Sequence, residues 1–178
     1  MKTISLCMIV KNEELVIGRC LESIKDVVDE IIIVDTGSTD NTKEIAKSYT
    51  NNIYDFKWIN DFSAARNFSF SKASKDYIMW LDADDVILYE DKVKLQNLKE
   101  SLNDEVDMVI MRYNVSFDKK GNPSFSYNRE RLLKRSVGYL WSGQVHEAIS
   151  QYGNIIYSDI AVSHKKIKDS PIDRNLNI

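Results

Sequence analysis

Three carboxylates occupy four positions of the segment YIMWLDADDVI, residues 77–87, where Asp82, Asp84 and Asp85 follow an apolar run. Two like charges about 4 Å apart repel by about 4 kcal/mol at an effective dielectric constant of about 20, so the cluster requires a cation or a raised pKa. Oxygen ligands favour Mg²⁺ or Mn²⁺. In an extended chain Asp82 and Asp84 would point the same way and could share one ion. The alternative is an acidic turn in which Asp85 caps the next segment.

A second polar group follows the apolar run IIIVD in residues 31–42, IIIVDTGSTDNT. Asp35 could accept hydrogen bonds from a base or a ribose. Gly37 would allow a sharp turn that leaves the amides of the next helix facing a ligand. The alternative is a well-capped turn between strand and helix that binds nothing.

The segment DFSAARNFSF contains Arg66 and Asn67 in the middle of a predicted helix. A guanidinium can pair bidentately with a diphosphate or contact a base, and an amide offers both a donor and an acceptor. The alternative for Arg66 is a solvated side chain on an exposed helix face.

The elements that must position these residues alternate between two periods in the first hundred residues. Short, β-branched apolar runs predict strands that are covered on both faces, and i, i+3, i+4 spacing predicts helices. Such an alternation predicts right-handed βαβ units and a parallel sheet, whose ligands bind beyond the carboxyl ends of the strands. The predicted strands are 4–10, 30–35, 52–56 and 77–81, and the predicted helices are 12–27, 38–49 and 61–73.

The pattern changes from about residue 105 onward. Strand-like segments at 107–117, 124–135 and 154–164 are joined by turns such as KKGNP at 119–123. We expect them to form a mixed or antiparallel extension of the same sheet within one domain. The final residues, DSPIDRNLNI, are typical of a Pro-initiated first helical turn.

Composition excludes several functional classes. The net charge of −3 argues against a general affinity for nucleic acid or anionic membranes. We expect no signal peptide and no transmembrane segment, since no run approaches the roughly 18 apolar residues that a bilayer requires. Cys7 and Cys20 are expected to be buried thiols in a reducing cytoplasm.

Four motifs follow one another along the chain: ISLCMIVKNEE, DEIIIVDTGSTDNT, FSAARNFSFSKASKDYIMWLDADD and WSGQVHEAI. Their order and spacing resemble those of family-two glycosyltransferases of the GT-A fold. The resemblance covers essentially the whole chain, is strongest over residues 3–85, and is greatest to a bacterial branch often followed by tetratricopeptide-like helices. It implies an α/β, Rossmann-like three-layer sandwich.

The resemblance also implies one catalytic domain over residues 1–170. Residues 1–105 form the nucleotide-sugar half, residues 106–170 form the acceptor half, and residues 171–178 begin a truncated helical region.

The resemblance implies a nucleotide-sugar donor, most often a UDP-sugar, and a divalent cation, Mn²⁺ or Mg²⁺. By position, Asp35 holds the uridine, Asp82 reaches the ribose or a metal-bound water, and Asp84 binds the ion directly. His164 is a further candidate metal ligand, although HKKIK replaces the Gly and Tyr that often follow it in relatives, and a strand-end histidine is the alternative. The remaining donor contacts fall on Val10, Asn12, Glu13 and Arg66.

Family-two members invert the anomeric carbon by direct displacement, which requires a carboxylate to take the acceptor's proton. The segment SGQVHEAI supplies Glu147 beside His146, and we hypothesise that Glu147 is this base. The alternative is an exposed residue at a helix start. Thr36 in VDTGS replaces a carboxylate that is common in relatives, so base recognition falls to Asp35 alone.

Two other functions remain open. A sugar nucleotidyltransferase shares a similar sheet but needs a Gly-rich loop after its first strand, and MIVKNEE contains no glycine. A donor-binding module that is inactive without further helices is the second alternative. The acceptor, whether a protein, a peptide or a cell-envelope glycan, cannot be read from the residues. Tyr113, Tyr127, Tyr139 and Trp141 could form an aromatic platform for a sugar or belong to the core.

Overall fold

The computed structural model describes residues 1–166, so the helical region predicted at 171–178 lies outside the described residues. The α-helices are α1 (Ile17–Ile24), α2 (Thr42–Lys47), α3 (Phe62–Ser71) and α4 (Tyr89–Ser101). The strands are β1 (Ile4–Val10), β2 (Glu30–Asp35), β3 (Ile53–Asp55), β4 (Tyr77–Trp80), β5 (Asp85–Val86), β6 (Met108–Phe117), β7 (Pro123–Lys134), β8 (Trp141–Ser142), β9 (Ala148–Ile149) and β10 (Ile155–His164). A short 3₁₀ helix spans Arg135–Val137.

One eight-stranded sheet organises the chain in the order β3-β2-β1-β4-β7-β6-β10-β5. The four strands of the first half are parallel, as the βαβ pattern predicts. Strand β7 runs antiparallel to both β4 and β6, while β10 is parallel to β6. The predicted mixed extension of a parallel sheet is therefore confirmed. The carboxyl ends of β1, β2 and β4 lie at one edge, where the candidate residues follow.

Two apolar cores cover the two faces of the sheet. On β1 the side chains of Leu6 and Met8 pack in the core beneath α1, α2 and α4, whereas Cys7 packs in the core beneath α3. This alternation follows from the two-residue period of a strand, and it explains why the strands are apolar throughout. The three-layer α/β arrangement predicted for the chain is confirmed.

Several boundaries differ from the sequence prediction. Helix α1 begins at Ile17 rather than at residue 12, because Asn12 adopts a left-handed φ of 55° and residues 14–16 form a turn. Helix α4 has no counterpart in the prediction. Its sequence, YEDKVKLQNLKES, has only Leu95 and Lys99 buried, so its apolar stripe is too narrow to stand out.

Both cysteines are free and buried, as expected. Across residues 1–166 we find no helix that is long and apolar enough to cross a membrane. Of the four aromatic residues considered as a sugar platform, Tyr139 and Trp141 belong to the core beneath α3 and Tyr113 belongs to the other core, whereas Tyr127 is exposed.

Candidate functional site

A cavity of about 580 Å³ opens beyond the carboxyl end of β4. Seven residues named in the sequence analysis line it. Three are Tyr113, Tyr127 and His146, and the four with predicted catalytic, donor or metal roles are Arg66, Asp82, Glu147 and His164. They come from four separate parts of the chain, namely α3, the turn after β4, the loop between β8 and β9, and the end of β10. The fold thus brings these four predicted residues together around one cavity.

Arg66 connects two of these carboxylates. Its Nε donates to Glu147 Oε1 at 2.7 Å, and its Nη2 donates to Asp82 Oδ1 at 2.8 Å. The guanidinium carbon lies 5.0 Å from the ring centroid of Trp80 and 4.7 Å from that of Trp141. Arg66 is only 8% exposed, so the alternative of a solvated arginine is wrong. The two ion pairs and two aromatic rings hold the guanidinium in place.

Arg66 bridges Asp82 and Glu147, and the charges in this bridge stabilise one another in their ionised forms. Burial raises the pKa of Asp82, but the nearby guanidinium of Arg66, together with Arg131, outweighs burial and holds the pKa below its usual value. Burial lowers the pKa of Arg66, and the carboxylates of Asp82 and Glu147 raise it by more. Asp82 and Arg66 are therefore both charged at neutral pH.

Glu147 is held by a short loop rather than by a helix. Strands β8 and β9 pair antiparallel and enclose the loop, and the first turn of α3 binds it: the Phe62 N–H donates to Gln144 O at 3.1 Å, and Ser63 Oγ donates to Gly143 O. The Glu147 side chain is 14% exposed. The alternative of an exposed residue at a helix start is therefore wrong. His146, next to Glu147, lines the cavity with a left-handed φ of 61°.

The three carboxylates after β4 diverge. The strand ends at Trp80, so Asp82 and Asp84 do not lie on an extended strand, and the idea that both point the same way is wrong. Asp82 faces Arg66, whereas Asp84 Oδ1 lies 3.2 Å from His164 Nδ1. Asp85 forms β5 opposite His164 and does not cap the next helix, whose N-cap is Leu88 without a side-chain hydrogen bond.

Asp85 is the residue whose position the sequence interpretation missed. Its Oδ2 lies 3.2 Å from Nη1 of Arg131, and both side chains are completely buried. Its Oδ1 accepts a hydrogen bond from the Tyr113 hydroxyl at 2.9 Å and lies 3.3 Å from His164 Nδ1. Arg131 stands in the charged run RER of β7, where nothing local sets it apart, and its partner lies 46 positions away.

Asp84, Asp85 and His164 form a group whose ligand atoms all lie within 4.8 Å of one another. Two carboxylates and one imidazole suit Mn²⁺, and the carboxylates alone suit Mg²⁺. Burial lowers the pKa of His164, but hydrogen bonds to Asp84 and Asp85 outweigh burial and raise the pKa to about 9. Burial, and then repulsion from Asp84 and Asp82, raises the pKa of Glu13 to about 7. The excess of negative charge fits a cation at this position.

The residues predicted to hold a nucleoside lie at the ends of β1 and β2, where Val10 pairs with Asp35. Asp35 Oδ1 accepts hydrogen bonds from the N–H groups of Gly37 and Ser38, at 2.9 and 2.8 Å. Gly37 has a φ of 109°, which favours glycine. Asp35 Oδ2 is buried, and no hydrogen-bond partner for it is found among the described residues. One carboxylate oxygen of Asp35 thus fixes the turn, and the other is available to accept a hydrogen bond from a ligand.

Three further predicted residues have clear local roles. Asn12 Oδ1 accepts the Thr39 N–H at 2.8 Å, which ties the β1 and β2 loops together. Asn67 does not line the cavity; its amide donates to Trp141 O at 3.0 Å and accepts the Trp141 N–H at 2.8 Å. These contacts support a role in holding Trp141 rather than the predicted donor contact. Thr36, in place of a carboxylate, donates from Oγ1 to Val10 O at 3.1 Å.

The chain is similar to one known protein family and to several known proteins. The profile of Glycosyl transferase family 2 matches residues 5–158. A TPR repeat-containing protein of Synechococcus elongatus is 44% identical over 97 residues, which are 54% of this chain and 24% of that protein. The SPbeta prophage-derived glycosyltransferase SunS of Bacillus subtilis is 33% identical over 168 residues, 92% of this chain and 38% of that protein. The chain thus spans less than two fifths of either relative.

Solved structures share the fold. Glucosyl-3-phosphoglycerate synthase from Mycobacterium tuberculosis, in complex with Mn²⁺ and UDP-glucose, superimposes with a TM-score of 0.63 at 16% identity, covering 97% of this chain and 73% of that one. TarS of S. aureus, in complex with UDP-GlcNAc, gives a TM-score of 0.51 at 21% identity over 66% of this chain and 35% of that one. The GT-A architecture predicted from the sequence is therefore confirmed.

Proposed function

The chain belongs to glycosyl transferase family 2, and we propose that it transfers a hexosyl group from a UDP-sugar to an acceptor with inversion of the anomeric carbon. The observation that carries the proposal is the bridge made by Arg66. One guanidinium holds both Asp82, in the turn after β4, and Glu147, in the loop between β8 and β9, and all three residues line the same cavity. A donor held at one carboxylate would lie beside a base at the other, which is the arrangement that a single displacement requires.

The nucleoside site is proposed at the ends of β1 and β2. The uracil ring presents one N–H donor, and the unpaired Oδ2 of Asp35 is a buried acceptor able to receive it. Asn12 and Glu13 extend this wall from the loop after β1, and Glu13 is near enough to Asp84 and Asp82 for their charges to raise its pKa. The two solved relatives described above bind UDP-glucose and UDP-GlcNAc, which agrees with a UDP-sugar donor.

The cation site is proposed at Asp84 and His164. Both are partly exposed, with 21% and 19% of their side chains accessible, and their ligand atoms are close enough to meet one ion. Bound Mn²⁺ or Mg²⁺ would neutralise charge on the departing diphosphate. The protein's own part is to orient the diphosphate, with Arg66 and Asp82 fixing the ribose side of the donor.

Glu147 is proposed as the base. In the reaction its carboxylate takes the acceptor's proton, the acceptor atom bonds to the anomeric carbon, and the bond from that carbon to the diphosphate oxygen breaks. Arg66 holds Oε1 at 2.7 Å, which orients the carboxylate.

The family relatives include a lipopolysaccharide core biosynthesis glycosyltransferase, LpsC, of Rhizobium meliloti, 28% identical over 85% of this chain and 58% of that protein. We propose a protein, peptide or cell-envelope glycan as the acceptor.

A donor-binding module is the second candidate, because the chain covers only 24% and 38% of the length of the first two relatives. The test is UDP release from UDP-glucose, UDP-GlcNAc and UDP-galactose in the presence of Mn²⁺. We expect release from at least one donor, and a loss of at least about 100-fold in Glu147→Gln, since general-base catalysis contributes about 10²–10⁴. Glu100→Gln, an exposed change on α4, is the matched control.

UDP binding without release would favour the binding module, and unchanged release by Glu147→Gln would remove that residue from the role of base.

A further inference from the structure

Strand β7 is paired along its length on one side only. Strand β6 pairs with it from Pro123 to Leu133, whereas β4 pairs only with residues 132–134. Because the chain turns after β4, no strand within residues 1–166 lies against residues 124–128 on the β4 side. That side of residues 124–128 is termed the open edge. Each of these residues is exposed or only partly buried.

The open edge presents hydrogen-bonding groups of the backbone. Glu130 O accepts a hydrogen bond from Trp80 Nε1 at 2.6 Å, so the backbone of Glu130 faces the β4 side. Along an antiparallel strand, successive residues face alternate sides. Ser126 and Asn128 therefore point their N–H and C=O groups to the open edge, and the residues between them bond to β6. Outside the ladder with β6, we find no hydrogen bond to Ser126 or Asn128 within the described part of the chain.

The other edges of the sheet are short or covered. Strands β3 and β5, at the two ends of the sheet, are three and two residues long. Strand β10 pairs with β5 only at its carboxyl end, and α4 covers the rest: Asp91 Oδ1 accepts the Ala161 N–H at 2.9 Å, and Lys94 Nζ lies 2.7 Å from Asp159 Oδ2. Short strands and charged side chains protect an edge against pairing with another chain. The sequence SFSYN of residues 124–128 has no charge and no proline, so this edge lacks such protection.

The open edge leads into the cavity that contains the proposed base. Tyr127 and Arg129 line the cavity together with Glu147. The rings of Phe125 and Tyr127 lie on one face of β7 with their centroids 6.1 Å apart, and the two residues are 59% and 40% exposed. A strand added at the open edge would lie in line with β4 beyond Trp80, because β4 pairs with the next part of β7. Its side chains would therefore contact the two rings and reach the cavity.

The chemistry of the open edge fits an extended peptide. Donors and acceptors that recur at every second residue match the backbone of a peptide strand, whereas a glycan has no such repeating pair of groups. Lys119 and Lys120 are exposed in the turn next to the edge, and the Asp118 carboxylate is bonded to N–H groups of that turn. This charge favours a peptide with an acidic residue at the same end.

We propose that the open edge binds the acceptor, an extended segment of a polypeptide, as an added strand that presents a hydroxyl or thiol side chain to Glu147. This inference rests on the proposed function and selects one of its acceptor classes. The acceptor oxygen or sulfur gives its proton to Glu147 and bonds to the anomeric carbon, while the bond from that carbon to the diphosphate breaks. Backbone pairing supplies affinity, and the rings of Phe125 and Tyr127 select the neighbouring side chains.

Amide hydrogen exchange, followed residue by residue by NMR, tests the edge in the whole chain. In the protein alone, the amides of Ser126 and Asn128 should exchange quickly and those of Tyr127 and Arg129 slowly. The probe is a pool of acetylated heptapeptides, Glu-Val-Thr-X-Thr-Val-Thr with Ser, Thr or Cys at X, added at millimolar concentration with UDP and Mn²⁺. We expect the pool to slow exchange at Ser126 and Asn128.

Two exchange results would overturn the inference. Slow exchange at Ser126 and Asn128 in the protein alone would mean that another part of the chain, or a second copy of it, occupies the edge. Unchanged exchange in the presence of the pool would mean that the edge does not bind an extended peptide.

A proline substitution tests whether the edge serves the reaction. Asn128→Pro removes one N–H from the open edge and none from the ladder with β6, a position at which a strand tolerates proline. It should lower pool-stimulated UDP release by about 5–10-fold, as for the loss of one hydrogen bond. The control Tyr89→Pro places a proline at the first position of α4, where helices tolerate it, and should release UDP as the parent chain does. Equal release by Asn128→Pro and the parent would overturn the inference.

Modified peptides provide a test that needs no variant. Two pools are N-methylated at alternate amides, so that each loses the N–H groups of one side of the strand. If Asn128→Pro fails to fold, these pools decide: we expect only one of them to stimulate UDP release, and equal use of both would overturn the inference.

The outcomes separate this inference from the proposed function. UDP binding and UDP release without peptide test the proposed function alone. A chain that neither binds UDP nor releases it contradicts that function. A chain that binds UDP, but whose edge amides the pool leaves unprotected, overturns only the assignment of the acceptor site.

Discussion

Replacing Arg66 by methionine tests the bridge on which the site depends. Methionine preserves apolar contact with Trp80 and Trp141 but removes the charge shared by Asp82 and Glu147. Removing one partner of a buried ion pair costs about 3–5 kcal/mol, because the other charge is left without compensation. The Asp82 side chain is 35% exposed, so water screens much of its contribution, whereas Glu147 is 14% exposed. We expect Arg66→Met to lose about 3 kcal/mol of unfolding free energy.

The assay is urea unfolding at pH 7.5, which measures the unfolding free energy. In a thermal melt, a loss of that size corresponds to a fall in Tm of about 6–12 °C for a domain of this length. The paired carboxylate of Asp82 stabilises the fold above its unfolded pKa and ceases to do so as pH falls through its lowered folded pKa. The difference between parent and variant should therefore narrow below about pH 4.

Arg66→Met combined with Asp82→Asn and Glu147→Gln should recover most of the lost stability, because no buried charge then remains unpaired. Arg135→Met, which removes an exposed arginine bonded to Lys75 O at 2.6 Å, is the control. A loss below about 1 kcal/mol for Arg66→Met, or a triple variant no more stable than the single one, would refute the reasoning.

Three further predictions concern the residues around the bridge. A proton on His164, whose pKa is about 9, competes with a cation for the ring. The Mn²⁺ affinity measured by calorimetry should therefore rise with pH up to about 9 and then level off. A constant affinity between pH 6 and 10 would argue against His164 as a ligand. Burial and the charges of Asp84 and Asp82 raise the Glu13 pKa to about 7, so ionised Glu13 destabilises the metal-free fold increasingly as pH rises from about 4.5 to 7. Glu13→Gln should therefore raise the Tm at pH 8 and not at pH 4. An equal effect on Tm at both pH values would show that repulsion between these carboxylates is not the cause. Asn67→Ala should lower the unfolding free energy by about 1–3 kcal/mol, because it leaves two Trp141 backbone groups without partners. Reduced UDP affinity without loss of stability would instead support the predicted contact between Asn67 and the nucleotide-sugar.

The sequence allowed much of the fold to be predicted because its signals are local. Apolar runs ending in polar residues identified the four parallel strands, and the turn at 119–123 identified the hairpin of β6 and β7. Helix α4 was not predicted, because its exposed face is broad and only two of its residues are buried. Local signals fix each element, but they reveal a weakly amphipathic helix poorly.

Four of the predicted site residues meet at one cavity, but their pairing could not be predicted. Arg66 and Glu147 are separated by 81 positions, and Asp85 and Arg131 by 46, so only the folded sheet brings each pair together. The assumption of an extended chain after Trp80 also failed, because the chain turns there and sends three carboxylates to three partners.

The most direct test of the account is calorimetric titration of UDP into the protein, with and without Mn²⁺, in the parent chain and in Asp84→Asn. We predict UDP binding that Mn²⁺ strengthens by at least about tenfold, or about 1.4 kcal/mol, and we predict that Asp84→Asn loses this gain while remaining folded. UDP binding that is equal in both proteins with and without Mn²⁺, or absent throughout, would contradict it.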